Sequence, residues 1–165
     1  MKLTFFVAAI LLVSGPVLAQ ENVSAPDILT TIKSRESLKM FSAALQSSGM
    51  AETLKHENSV TVFAVSDRGF AMLSPTDRET LRSSHAALNF LLARYVVRGR
   101  FVPTNFASAR TLSGLKVLTT QSGRKQMVNG ASVEAHDIEC ANGVVYVLDR
   151  FDAGLIRDAV QMIGR

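Results

Sequence analysis

From Val60 to Val65 the chain runs apolar on both sides of its alternation, with Val60, Val62 and Ala64 set against Thr61, Phe63 and Val65. β-Branched and aromatic residues on both faces predict a short strand with no wet side. Ser66 or Asp67 then stands where a helix N-cap belongs, because a short side-chain oxygen can accept from the first free amides. Upstream, Ser24-Ala25-Pro26-Asp27 predicts a helix start, with Ser24 as cap, Pro26 in the first turn, and Ile28, Leu29 and Ile32 as the apolar face. A second helix is expected from about Glu36 to Ser47. There Leu38, Phe41, Ala44, Leu45 and Ser48 share one side, and Gly49 supplies a stop. Met50 to Leu54 adds a further turn. Ser74-Pro75-Thr76-Asp77 predicts another start, with proline at the first helical position, and the helix ends by Ser83. Ala86 to Arg94 follows with Leu88, Leu91 and Leu92 inward. Tyr95-Val96-Val97 is strand-like and Gly99 ends it.

From Thr111 the period shifts towards two. Leu115, Val117 and Thr119 alternate with Lys116, Leu118 and Thr120, and Ser122-Gly123 turns the chain into Lys125 to Val128. Asn129-Gly130 turns it again. Val133, Ala135 and Asp137 then alternate with Ser132, Glu134 and His136, which leaves one side of that strand wet. Asn142-Gly143 predicts a last hairpin with positive φ at both central positions, feeding the strand Val144 to Leu148. Closely spaced strands behind a group of helices predict an α+β domain with an antiparallel sheet. Asp152 to Ile163 reads as a terminal amphipathic helix through Leu155, Ile156, Val160 and Ile163.

Two of these segments resemble the paired signature motifs of the fasciclin domain. Thr61-Val62-Phe63-Ala64-Val65-Ser66-Asp67-Arg68-Gly69-Phe70 is similar to the first, Thr-Val-Phe-Ala-Pro-Thr-Asn/Asp-x-Ala-Phe. Asn142-Gly143-Val144-Val145-Tyr146-Val147-Leu148-Asp149 is similar to the second, Asn-Gly-Val-Val/Ile-His-Val-Ile/Leu-Asp. Departures fall at Val65 for Pro, Ser66 for Thr, Gly69 for Ala and Tyr146 for His. Between them, Leu91 to Gly99 is similar to the family's Leu-Lys-Tyr-His-Val-Val-x-Gly segment, with Arg94 and Tyr95 standing for Tyr-His. The resemblance covers roughly Ala25 to Phe151. It implies a fasciclin-like fold, antiparallel sheets forming a wedge or sandwich with several short helices packed on it. In that fold Thr61, Val62, Phe63, Ala64, Asp67, Phe70, Asn142, Gly143, Val144, Val147 and Asp149 are structural. It also implies adhesion, although integrin recognition through the family's Tyr-His pair does not carry over to Arg94-Tyr95.

Composition alters the picture at the N-terminus first. Lys2, the apolar stretch Leu3 to Val13 and the small-residue site Val17-Leu18-Ala19 read as a secretory signal. The run is shorter than the ~20 residues of a spanning helix. The expected organisation is a signal over 1–19, cleaved near Ala19, an extension over 20–24, one domain over 25–151 and a tail over 152–165. The mature chain is then secreted or periplasmic. Cys140 is the only cysteine, so no internal disulfide is available.

Charge supplies what the resemblance does not. Net charge is +4, yet no Asp or Glu occurs from Thr80 to Val133, where Arg82, Arg94, Arg98, Arg100, Arg110, Lys116, Arg124 and Lys125 all fall. A shared face among these cations would attract a polyanion. Export and the lack of Trp or an aromatic stacking platform argue against nucleic acid.

Catalytic motifs are missing: there is no Gly-x-Ser-x-Gly, phosphate-cradling glycine loop or His-Glu-x-x-His. Glu134 and His136 share one strand side, and Asp137 and Glu139 the other, too few ligands for a metal on either. Neither cofactor nor metal is expected. The expected function is a secreted, non-enzymatic interaction module for a cell-surface or matrix protein or an acidic polysaccharide. Its candidate binding residues are Arg94, Tyr95, Arg98, Arg100 and Tyr146. The alternative is a carrier of an apolar small molecule such as a carotenoid, which the family resemblance implies, lined by Val65, Phe70, Met72, Leu73 and Tyr146.

Overall fold

A computed structural model describes residues 24–101 and 109–162. The signal and most of the extension lie outside the described residues. The helices are α1 (Ile28–Ser34), α2 (Lys39–Ser47), α3 (Met50–His56), α4 (Asp67–Ala71), α5 (Pro75–Ser83), α6 (His85–Leu92) and α7 (Ala153–Gln161). A 3₁₀ turn, Glu36–Leu38, leads into α2. The strands are β1 (Val60–Val65), β2 (Val96–Arg98), β3 (Thr119–Ser122), β4 (Lys125–Val128), β5 (Ala131–Cys140) and β6 (Gly143–Leu148).

The strands form one sheet in the order β2-β1-β6-β5-β4-β3. It is mixed rather than wholly antiparallel, because β1 and β6 run parallel from Val60↔Gly143 to Val65↔Leu148. Both motif strands are buried along their whole length, as their unbroken apolar runs require. The helices close over this centre, with Ile28, Ile32, Phe41, Leu45, Leu54, Leu91 and Leu92 at most 1 % exposed. No helix among the described residues is long and apolar enough to cross a membrane.

Several local expectations need correction. Asp27, not Ser24, caps α1: its carboxylate accepts from the Thr30 amide, so Pro26 lies before the cap. The Pro26 carbonyl instead accepts from the Ala141 amide. Ser66 occupies the N-cap of α4 without a side-chain bond, and Asp67 accepts from the Met40 amide at the start of α2. Asn129-Gly130 has the expected positive φ at both positions, 49° and 78°, but Asn142 does not. The β5–β6 turn is Ala141-Asn142, and Gly143 begins β6 opposite Val60. A β-carbon on Gly143 would overlap the Val60 carbonyl, so glycine is needed there for close approach. The alternation of β5 also breaks. Register shifts flank Ala135, and Asp137 takes φ 54°, which turns its carboxylate onto Tyr146.

Candidate interaction surfaces

The motif residues form a polar frame around the central strands. Thr61 Oγ1 donates to the Gly99 carbonyl and accepts from the Phe101 amide, tying β1 to the exit of β2. Asn142 Oδ1 accepts from the Ile28 amide at the start of α1, while its backbone carbonyl accepts from Val60. Asp149 closes the far end, accepting from the Ser132 amide and donating its own amide to the Ser132 carbonyl. Phe63 and Tyr146 pack tilted at 5.7 Å, and Phe151 stands edge-on to both Phe70 and Tyr95.

The five candidate binding residues do not share one open face. Tyr95 is buried, and its hydroxyl oxygen accepts from the Asp152 amide. Tyr146 is likewise sealed, its hydroxyl donating its one proton chiefly to Asp137 at 2.7 Å, with the Phe101 carbonyl at 3.2 Å as the weaker branch. Burial pushes both phenols well above their ordinary range. The Tyr146 hydroxyl in turn holds the Asp137 carboxyl below the usual carboxylate value. Arg94 is buried, lies 4.2 Å from the Phe90 ring centroid and pairs with Asp158 at 2.9 Å. Only Arg98 and Arg100 are open, and each has an acid: Glu57 at 3.0 Å for Arg98, Glu139 for Arg100.

The acid-free stretch of sequence therefore divides in the fold. Arg82, Arg94, Arg98 and Arg100 pair with Glu79, Asp158, Glu57 and Glu139, all supplied from outside it. Arg110, Lys116, Arg124 and Lys125 are exposed and have no acidic partner among the described residues. Arg110 and Lys116 face each other across an isolated antiparallel bridge. The loop carrying them is stitched to the foot of the β3–β4 hairpin, where Leu118 and Asn129 exchange hydrogen bonds. Arg124 and Lys125 sit at that hairpin's turn. Thr111 of the same loop bridges to Val97 of β2, so Arg110 and Lys116 lie between β2 and the open end of the hairpin, with Arg124 and Lys125 at its turn. The acid-free run was visible in sequence; apart from Arg82, whose acid Glu79 is three residues away, the pairings depend on contacts 39 to 64 residues apart.

Groups with chemical potential are tied down elsewhere. Cys140 is 2 % exposed, its thiol donates to Thr31 Oγ1, and burial raises its pKa. Among the described residues no cluster of His, Cys, Asp and Glu has metal-binding geometry. A groove of ≈ 260 Å³ opens between α2, α4, α5 and α6, a site not anticipated from sequence spacing. Phe70 and Leu73 line it; Val65 and Tyr146 belong to the core, and Met72 is 59 % exposed.

The family profile of the Fasciclin domain matches residues 36–151. Immunogenic protein MPT70 of Mycobacterium tuberculosis is 28% identical over 142 residues, covering 82% of this chain and 72% of that protein. Transforming growth factor-beta-induced protein ig-h3 of Sus scrofa is 28% identical over 125 residues, covering 74% of this chain but 18% of ig-h3. A solved FAS1 domain pair from the insect cell adhesion molecule fasciclin I superposes with a TM-score of 0.68 at 16% identity. That match covers 78% of this chain, which spans about half (51%) of the solved one.

Proposed function

This chain belongs to the Fasciclin domain family, and from that premise we propose that it is an exported, non-enzymatic adhesion module whose partner is an acidic polysaccharide of a cell surface or matrix. The observation that carries this reading is the set of exposed cations Arg110, Lys116, Arg124 and Lys125, which have no acidic partner among the described residues. Fixed cations without internal partners keep their field for an external polyanion, whereas paired ones largely cancel at a distance. Arg98 and Arg100 are auxiliary contacts, exposed enough to exchange Glu57 and Glu139 for an anionic partner. Arg94, Tyr95 and Tyr146 serve the surface indirectly, by holding α7 and β5 in place. The similarity to a cell adhesion molecule supports the process. Attachment of producing cells to an anionic polysaccharide layer tests it. Deletion of the protein should reduce attachment, and a variant with all four cations changed to Gln should fail to restore it. Full restoration by that variant would remove the polyanion from the reading.

A second reading, carriage of an apolar small molecule such as a carotenoid, draws on Phe70 and Leu73 lining the groove between α2 and α5. At ≈ 260 Å³ the groove would leave most of a long polyene in solvent. Visible absorbance of protein purified from a carotenoid-producing host checks this; a colourless protein rules the pigment out.

A further inference from the structure

The groove between α2, α4, α5 and α6 combines an apolar chamber with a guanidinium, Arg78, that has no acidic partner among the described residues. Its floor is Ala44, Phe70, Leu81 and Leu88, each at most 7 % exposed, and Met40 and Leu73 form its walls. The charged groups of its lining are Arg78 and Arg82. Arg82 is held by Glu79 through two hydrogen bonds of 3.1 Å. Arg78 is held differently: Nη2 donates to the carbonyls of Ala71, the last residue of α4, and Leu73 just beyond it, at 3.1 and 3.2 Å. Those carbonyls orient the guanidinium without cancelling its charge. The acids of the flanking elements are engaged elsewhere, Asp67 with the Met40 amide, Asp77 with Ser74 and Glu79 with Arg82.

A concave apolar site with one convergent polar group is what binds a small amphiphile, and a guanidinium is a good partner for a carboxylate. The volume lies just under the ~300–1,000 Å³ of pockets for drug-sized ligands, which favours one short chain over two. We propose that this groove binds a single-chain carboxylate amphiphile, a medium-chain fatty acid, with its tail over Phe70, Leu81 and Leu88 and its carboxylate on Arg78. The proposal rests on the ligand-carrying reading and is independent of Arg110, Lys116, Arg124 and Lys125.

The test titrates the full chain with decanoate, decan-1-ol and decyltrimethylammonium, followed by amide chemical shifts and calorimetry. Decanoate should bind at one site, shift amides of α2, α4, α5 and α6, and bind at least tenfold tighter than the cationic probe. Arg78→Gln should bring decanoate close to decan-1-ol in affinity while leaving decan-1-ol unchanged. Arg78→Lys should retain part of the preference. Ala43→Phe, at an exposed position on the groove wall, should weaken decanoate and decan-1-ol alike. Equal affinity for all three head groups overturns the role of Arg78 and leaves apolar carriage standing; no binding of any probe overturns both. Binding only to anionic phospholipid vesicles, or shifts confined to other elements, also overturns the assignment.

Discussion

Gly69 replaces the alanine usual in the first fasciclin motif, and its surroundings give the reason. A β-carbon there would overlap Val65 Cγ1 and lie 2.9 Å from the Asp149 carbonyl oxygen. The exit of β6 has settled onto α4 with no space for a methyl. Gly69→Ala should therefore destabilise the domain by ~1–3 kcal/mol, the cost of overpacking a filled core. Adding Val65→Ala removes the side-chain part of the clash and should recover some of that loss in urea unfolding; an additive double mutant would contradict the account. Asp137 offers a second test at this scale. Its folded-state pKa is depressed, first by the hydrogen bond from Tyr146. Such a group contributes its full stabilisation above the ordinary carboxylate pKa of ~3.9, and the contribution fades as pH falls through the lower folded value. Tyr146→Phe should cost ~1 kcal/mol at neutral pH, modest for a bond to a charged group because Asp137 is half exposed. The gap between the two proteins should be flat from pH 5 to 8 and narrow below about pH 4. It should not vanish, since the hydroxyl also serves the Phe101 carbonyl. A gap that ignores pH would mean the carboxylate contributes nothing.

Helix α7 shows how much of an element's role lies beyond its own pattern. Asp152 caps it through the Gly154 and Leu155 amides, while Ile156 and Ala159 bury its apolar side. Besides the Tyr95 hydroxyl at its cap, Asp158 ties it to the rest of the chain by reaching Nη1 of Arg94, a residue 8 % exposed whose Nε has no hydrogen-bond partner among the described residues. Asp158→Ala leaves that guanidinium buried and unpaired. The expected loss is ~1–3 kcal/mol, between the values for exposed and buried pairs, because Asp158 is itself half exposed. Arg94→Leu in the same background should recover most of it, and a thermal melt of the three proteins decides. A helix after Asp152 was readable from sequence, although its most buried residue, Ala159, was not in the expected stripe and Ile163 lies outside the described residues; Ser74-Pro75 at the start of α5 and the buried runs of β1 and β6 were readable too. These depend on neighbours within a few residues. The parallel pairing of β1 with β6 was not readable, since strand direction is set by the path of everything between them. Asn142-Gly143 misled for a related reason: its glycine answers to Val60, far away in the chain, and not to the turn. The Asp137 bulge hides in a run that alternates well on paper, and the groove of α2, α4, α5 and α6 needs four separated elements to exist.

Across the whole molecule, folding sorts the charges of the acid-free segment into two populations. Arg82, Arg94, Arg98 and Arg100 are met by acids from α5, α7, the approach to β1 and the end of β5. Arg110 and Lys116, in the loop bridged to β2, and Arg124 and Lys125, at the β3–β4 turn, have no acidic partner among the described residues. Leu115 and Leu118, 43 % and 67 % exposed, lie among them, so a bound chain would also meet apolar surface. The two populations should respond differently to salt. For a sulfated polysaccharide at low ionic strength, changing the four unpaired cations to Gln should weaken binding at least tenfold. That difference should close towards 1 M salt, where the screening length falls to about 3 Å. Arg98→Gln with Arg100→Gln should weaken binding less, since those residues give up little external field. If the paired arginines dominate instead, Glu57 and Glu139 must release them on binding. Glu57→Gln with Glu139→Gln would then strengthen retention, whereas a partner held by the four unpaired cations gains little from losing those two acids. Measuring the three variants on one column separates binding by cations already unpaired from a surface that unmasks its charge only on contact.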